Sequence, residues 1–103
     1  MVGDWNGDNK TEIGVTNSVD WYLDANGNGA WDGSSIDQQG FFGIAGFTPV
    51  VGDWTGEGKT KIGVYKNGIW YLDLNGNGNW NGPTVDKQGS MGTAGWTPIV
   101  GKW

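Results

Sequence analysis

Val51-Gly52-Asp53-Trp54 is the stretch that decides the fold, because the chain contains this motif three times. Val2–Trp5 has the same four residues, and Val100–Trp103 differs from them only by a lysine. Successive copies are 49 residues apart, and the gapless alignment that they define has 31 identities in 53 positions. The chain is therefore a tandem repeat. We expect two equivalent units, residues 1–49 and residues 50–98.

Each repeat contains short apolar segments between glycine-rich turns, and the alternation of apolar residues is typical of β-strands. The strands predicted in the first repeat are Glu12–Val15, Asp20–Leu23, Ile36–Phe42 and Thr48–Asp53. Those predicted in the second repeat are Lys61–Tyr65, Ile69–Leu72, Val85–Met91 and Thr97–Lys102. No segment has a helical period, and 21 glycines are too many for helices. The sequence predicts an all-β protein with four short antiparallel strands per repeat.

Four strands in about 40–50 residues, repeated in tandem, are typical of a β-propeller blade. A β-sandwich built by duplication is the alternative. Two blades cannot close a ring, and their unpaired edges would favour aggregation. We therefore expect homo-oligomerisation to complete the ring, as a trimer or a tetramer. Residues 97–103 repeat the inner strand once more, so we expect this surplus strand to be exchanged with a neighbouring protomer or to close a blade.

The composition excludes several functional classes. Without histidine or cysteine, the chain has no Ser-His-Asp triad, no cysteine nucleophile and no zinc site built from thiolates or imidazoles. A net charge of −5 and the absence of arginine argue against nucleic-acid binding. No apolar run approaches the roughly 20 residues that cross a bilayer, so we expect no membrane partner. Met1 leads directly into fold sequence, so we expect no signal peptide.

The loop from residue 4 to residue 12 has the pattern of a calcium site. Ca²⁺ takes six to eight oxygen ligands, which a tight loop with alternate acidic or amide side chains can supply. Side-chain oxygens fall at loop positions 1, 3, 5 and 9, and position 7 offers a backbone carbonyl. These residues are Asp4, Asn6, Asp8, Glu12 and, for the carbonyl, Lys10. A hairpin of Asx-turns without metal is the alternative. Calcium binding explains the paired carboxylates better than acid–base catalysis does, so we do not expect an enzyme.

The equivalent loop of the second repeat differs at two positions. Thr55 replaces the amide, and Lys61 replaces the acid at position 9. Because an ammonium cannot share the loop with a metal ion, we hypothesise that Lys61 takes the place of the metal. It would then pair with Asp53 and Glu57, since opposite charges about 4 Å apart attract strongly once they are partly desolvated.

A second oxygen-rich loop occurs in both repeats with the same spacing. The candidate ligands in the first repeat are Asp24, Asn26, Asn28 and Asp32. Their equivalents in the second repeat are Asp73, Asn75, Asn77 and Asn81, with one carboxylate instead of two. Since affinity falls with ligand charge, the first copy is predicted to be a weak calcium site. Asn-Gly pairs are also a strong hairpin signal, so a metal-free turn remains the alternative.

The motifs of Gly3–Val15 and Trp21–Gly33 resemble the FG-GAP/VCBS-type repeats of integrin-α-like β-propellers over essentially the whole chain. The resemblance implies a calcium hairpin at Asp4, Asn6, Asp8 and Glu12. It also implies an extracellular or cell-surface location and a role in adhesion, ligand binding or scaffolding. Such domains usually have about seven blades. This chain departs from the pattern in having two units, with Lys61 and Lys102 where acids are expected.

Eight tryptophans are many for this length. A large ring that recurs every 49 residues, such as Trp5 and Trp54, suits a core between blades. Further aromatic residues are candidates for ligand contact: Phe47, Trp96, Trp31 and Trp80. The first expectation for function is a non-enzymatic, self-assembling structural module. The alternative is a lectin that binds carbohydrate with exposed Trp, Asn and Asp side chains.

Overall fold

The computed structural model describes residues 1–17, 19–43 and 46–101. The strands are β1 (Val2–Gly3), β2 (Glu12–Thr16), β3 (Asp20–Leu23), β4 (Gln38–Phe41), β5 (Thr48–Gly52), β6 (Lys61–Lys66), β7 (Ile69–Leu72) and β8 (Lys87–Ser90). They form two four-stranded antiparallel sheets, in the order β1-β2-β3-β4 and β5-β6-β7-β8. The described residues contain no helix. The prediction of an all-β chain with four antiparallel strands per repeat is confirmed.

The observed strand ends agree best with the predicted ones for strands in the middle of each sheet. β3 and β7 have the predicted ends, whereas β4 and β8 begin two residues later than expected. The reason is a turn before each of them, in which the N–H of Ile36 donates to the carbonyl of Gly33 at 3.1 Å. The equivalent N–H of Val85 donates to Gly82 at 3.2 Å. A residue in such a turn cannot join the ladder.

The third copy of the inner-strand motif behaves differently from the other two. Residues Thr97–Gly101 are not in a strand, although Thr48–Gly52, with nearly the same sequence, forms β5. β5 pairs with β6 over five residues, from Thr48 opposite Tyr65 to Gly52 opposite Lys61. Within the described part of the chain, no strand lies beside residues 97–101 in this way. Lys102 and Trp103, the rest of the predicted strand, lie outside the described residues.

Each sheet has two apolar faces, because side chains alternate along its strands. We call the side that contains Tyr22 or Tyr71 the tyrosine face, and the side that contains Trp21 or Trp70 the tryptophan face. The tyrosine faces consist of Ile13, Val15 and Tyr22 in the first sheet and Ile62, Val64 and Tyr71 in the second. The tryptophan faces include Trp5, Trp21 and Leu23 in the first sheet and Trp54, Trp70 and Leu72 in the second.

The core lies where the tryptophan face of the first sheet packs on the tyrosine face of the second. It consists of Trp5, Trp21, Leu23, Phe42, Ile62 and Val64. Gly40 permits the close approach: a Cβ added there would lie 3.1 Å from the carbonyl oxygen of Gly78 and 3.3 Å from Cδ1 of Ile62. The two repeats therefore use unlike faces to contact each other.

No sheet packs on the other two faces, although Val50 and Tyr65 on the tryptophan side of the second sheet are buried. Ile62 and Val64 are each 1% exposed, whereas the identical residues Ile13 and Val15 of the first repeat are 54% and 66% exposed. On the tryptophan side, Phe42 is 1% exposed and its equivalent Met91 is 79% exposed. Equivalent apolar positions are thus buried in one repeat and exposed in the other, according to whether a sheet lies against them.

Candidate functional site: the oxygen-rich loops

The two oxygen-rich loops of the first repeat lie side by side. The loop after β1 and the loop after β3 are joined by the Asn6 amide, whose Nδ2 donates to the carbonyl of Ala25 at 2.7 Å. A Cβ on Gly27 would lie 3.6 Å from Cγ of Glu12, which shows how closely the loops approach. The antiparallel order of β1, β2 and β3 brings both loops to one end of the sheet, where their carboxylates and amides form one polar surface.

The first loop is a series of Asx-turns. Asp4 accepts hydrogen bonds from the N–H of Gly7 at 2.7 Å and from the N–H of Asn9 at 2.9 Å. Asp8 accepts from the N–H of Lys10 at 2.8 Å. Gly7 (φ +80°) and Asn9 (φ +69°) adopt the left-handed conformation that glycine and asparagine tolerate best. These turns bend the chain so that its acidic side chains point toward one another.

Three carboxylates converge in this loop. Asp4, Asp8 and Glu12 each offer an oxygen, and these three atoms lie within 4.8 Å of one another. Glu12 is buried, and its Oε2 accepts a hydrogen bond from the N–H of Trp5 at 2.9 Å. Burial raises the pKa of Glu12, and the charges of Asp8 and Asp4 raise it further, although the Trp5 hydrogen bond opposes the rise. A cation among these oxygens would relieve the repulsion between them.

In the second repeat an ammonium group occupies the equivalent loop. The Nζ of Lys61, whose side chain is buried, forms an ion pair with Glu57 and lies 3.6 Å from Oδ1 of Asp53. It also donates to Oγ1 of Thr55 at 3.0 Å and to the carbonyl of Lys59 at 3.2 Å. The Lys61 hydrogen bond lowers the pKa of Glu57. The hypothesis that Lys61 pairs with Asp53 and Glu57 is confirmed.

The Lys61 contacts show how this type of loop holds a positive charge. The four oxygens around Nζ come from loop positions 1, 3, 5 and 7, the last through its backbone carbonyl. The same positions of the first loop have Asp4, Asn6, Asp8 and the carbonyl of Lys10, and position 9 adds a carboxylate where the second loop has the lysine. A hard divalent cation prefers this set of oxygen donors. The donor set of the first loop therefore fits Ca²⁺.

The second type of loop is stabilised by its own hydrogen bonds. Asp24 is buried and accepts from the N–H of Gly27 at 3.1 Å and of Gly29 at 2.7 Å. The oxygen of Asn26 accepts from the N–H of Asn28, whose own oxygen accepts from Ala30. The Asp32 carboxylate accepts from the amides of both asparagines. In the second repeat Asp73 accepts in the same way from Gly76 and Gly78, and Asn75 donates to Asn81.

Two buried aspartates that we did not single out from the sequence support these loops. Asp37 accepts from the N–H groups of Ala25 and Asp32, and Asp86 accepts from those of Leu74 and Asn81. Each of these aspartates lies just before the last strand of its sheet and holds the loop through these two hydrogen bonds. The available signal was an aspartate that is identical in both repeats, just before that strand.

Asp73 is the most strongly perturbed of these acids. It is fully buried, and burial is the main reason that its pKa is raised from 3.8 to about 6. The hydrogen bond from the N–H of Gly78 opposes this rise in pKa, and the nearby Asp86 carboxylate contributes to it. The pKa of Asp73 therefore lies well above that of an exposed aspartate.

The aromatic candidates fall into two groups. Phe47 and Trp80 both contact Tyr71, with ring centroids 6.0 and 5.2 Å apart, and they line one apolar pocket between the repeats. Trp31 makes the matching edge-to-face contact with Tyr22 at 5.0 Å but is half exposed. Trp96 is largely exposed. The structure thus brings Phe47 and Trp80 together and leaves Trp31 and Trp96 open to solvent.

Comparisons of the chain with protein-family models, with curated proteins and with solved structures find no match. Among the described residues there is no helix of the length and apolar character that crossing a membrane requires.

Proposed function

We propose that this chain is a non-enzymatic β-propeller module that assembles with copies of itself and acts as a structural or adhesion-type scaffold. The packing of unlike faces is the observation that carries the proposal. A sandwich formed by a twofold-symmetric duplication would bury equivalent faces against each other. Here the tryptophan face of one sheet packs on the tyrosine face of the next, so the same contact can be repeated from sheet to sheet, as in a propeller.

Self-association would cover the apolar surface that the chain leaves open. Monomeric proteins rarely expose large contiguous apolar patches, and those that do usually use them for binding. The first sheet exposes Ile13, Val15 and Trp31, and the second repeat exposes Met91 and Trp96. A closed ring of three or four chains would bury both sets and would pair the sheets without free faces.

We also propose that the first loop holds Ca²⁺. The ligands would be Asp4, Asn6, Asp8 and Glu12, with the backbone carbonyl of Lys10. The Lys61 ammonium in the equivalent loop supports this assignment, because a positive charge there is held by the same loop positions. The loop of Asp24, Asn26, Asn28 and Asp32 has fewer carboxylates and would bind the ion more weakly. An extracellular or cell-surface location remains a prediction from the resemblance to FG-GAP/VCBS repeats.

Carbohydrate binding is the second candidate function. The half-exposed Trp31 ring lies next to the exposed amides and carboxylate of its loop, a combination of apolar and hydrogen-bonding surface that suits a sugar. Trp96 offers another exposed ring. Self-association would cover both rings, so the two proposals make opposite predictions about their accessibility.

Native mass spectrometry with and without a calcium chelator tests the proposed function. We expect a particle of three or four chains of 11.0 kDa each, with calcium bound in the untreated sample and lost after chelation. A calcium-free particle would contradict the metal assignment, and a single chain would contradict self-association. In parallel, simple sugars are added while tryptophan fluorescence is recorded. Quenching that saturates with sugar would favour the lectin over the scaffold.

A further inference from the structure

We propose that the tyrosine face of one chain packs on the tryptophan face of a second copy, in the arrangement that joins the two sheets within the chain. This inference rests on the proposed self-association and names the surfaces that carry it. The contact is directional: unlike faces meet, so each chain contributes its first sheet to one neighbour and its second sheet to another. Such a heterologous contact forms a ring when the rotation closes.

The residues that form the polar contacts of the internal interface have equivalents on the open faces. Within the chain, the N–H of Thr60 donates to the carbonyl of Asp4 at 2.8 Å, and Oγ1 of Thr60 accepts from the N–H of Asp4 at 2.9 Å. The equivalents are Thr11 at the open tyrosine face and Asp53 at the open tryptophan face. Thr11 of one copy and Asp53 of the next have the groups needed to form the same pair of hydrogen bonds.

The glycines that allow two backbones to approach closely at the internal interface also have equivalents on the open faces. The internal interface brings Gly40 against Gly78, where a Cβ on either residue would clash with or press on the other backbone. Their equivalents are Gly89 and Gly29. A Cβ on Gly89 would meet only Cβ of Trp70, at an ordinary 3.6 Å, so the chain itself has room for a side chain there. A glycine at that position suits the approach of a second copy.

Large exposed side chains occupy the positions that would form the contact between two copies of the chain. Phe42 packs edge-to-face on Trp80 at 6.0 Å, and Phe47 packs on Tyr71 at 6.0 Å. The equivalents of the two phenylalanines are Met91 and Trp96, which are 79% and 69% exposed. Their counterparts in the next copy would be Trp31 and Tyr22 of the open tyrosine face.

The open tryptophan face already has the arrangement of the buried one. The indole N–H of Trp5 donates to the carbonyl of Ile13 at 3.0 Å, and that of Trp54 donates to the carbonyl of Ile62 at the same distance. The Trp54 ring is therefore oriented without a sheet covering it. A preformed surface reduces the ordering that association would require.

One variant on each face tests the proposal. Val15→Lys places a charge on the open tyrosine face, and Met91→Lys places one beside the open tryptophan face. Both side chains are largely exposed in the single chain, so the fold should be retained. Ile36→Lys is the matched control, because Ile36 and its equivalent Val85 are exposed in both repeats and lie outside the internal contact. Circular dichroism and tryptophan fluorescence check that each variant is folded.

We expect each of the two face variants alone to associate at least about tenfold more weakly than the unaltered chain, because an unpaired charge would be buried. A mixture of the two should form a 1:1 pair and nothing larger, since one variant retains the tyrosine face and the other the tryptophan face. The Ile36→Lys chain should have the mass of the unaltered chain. Size-exclusion chromatography with light scattering measures the unaltered chain, the three variants and the mixture.

If the unaltered chain oligomerises, three results would overturn the inference while leaving self-association intact. They are a Val15→Lys chain with the same mass as the unaltered chain, self-association of either face variant as tight as that of the unaltered chain, and equal disruption by the Ile36→Lys control. A mixture that stays monomeric would also overturn it. An unaltered chain that stays monomeric at every concentration would instead refute the proposed function itself. The two failures are therefore distinguishable.

Discussion

Truncating the same isoleucine in the two repeats should have very different effects. Ile13 and Ile62 occupy equivalent positions, but Ile62 is 1% exposed against the first sheet and Ile13 is 54% exposed. Ile62→Ala removes a buried side chain and leaves a cavity, a change that costs about 2–5 kcal/mol of unfolding free energy. Ile13→Ala removes a half-exposed side chain, so the cost in an unassembled chain should be about 1 kcal/mol or less.

Urea denaturation followed by tryptophan fluorescence measures this difference, because the urea dependence of the free energy extrapolates to water. Association adds a second expectation. As protein concentration rises, the assembled state buries Ile13, so the cost of Ile13→Ala should grow with concentration, since a partner that binds only the folded state stabilises it by mass action. The cost of Ile62→Ala should be large even at the lowest concentration. Equal costs for the two variants in dilute solution would refute the burial difference, and a concentration-independent cost of Ile13→Ala would refute its burial on association.

Three further predictions concern the loops and the last segment. Lys61→Asp should create a second calcium-responsive loop, seen as a larger rise in melting temperature with calcium than in the unaltered chain; a Lys61→Gln control that responds equally would contradict this. The raised pKa of Asp73 means that between pH 3.8 and about 6 the folded chain holds a proton that the unfolded chain has lost. The contribution of Asp73 to stability is therefore greatest below this range and is lost as the pH rises through it, and Asp73→Asn should flatten that dependence in denaturation series; an unchanged slope would exclude Asp73 as its source. Deleting residues 97–103 should disrupt the oligomer if that segment is exchanged between chains, and an unchanged mass by light scattering would show that the segment is not required.

The sequence was sufficient to predict the all-β class with four antiparallel strands per repeat, and the strands in the middle of each sheet. Asp20–Leu23 and Ile69–Leu72 have the predicted ends because each contains a short continuous run of large apolar residues between turn signals. β4 was predicted too long, since the turn hydrogen bond from Ile36 to Gly33 depends on the local backbone path and not on apolar character. Propensity and pattern do not show where such a turn ends.

The burial of each face could not be predicted from the repeat itself. Ile13 and Ile62 occupy equivalent strand positions and are both followed by Gly-Val, yet they have opposite environments in the structure. Both faces of the sheet are apolar, so period-two alternation does not indicate which one a neighbouring sheet will cover. Only the arrangement of the two sheets decides this.

The candidate site was predicted in part. The charge reversal at Lys61 was enough to infer an ion pair with Asp53 and Glu57, because the spacing placed all three in one loop. The supporting roles of Asp37 and Asp86 were missed, because each accepts hydrogen bonds from a loop that is separated from it in sequence. Contacts of this kind become visible only when the hairpin is folded.

Sedimentation equilibrium of the unaltered chain over a wide range of concentrations tests the central claim most directly. If each chain completes its packing with identical neighbours, the mass should rise from 11.0 kDa in dilute solution to a fixed value of three or four chains and then stay constant. A folded chain that keeps the mass of a single copy at every concentration would contradict the account.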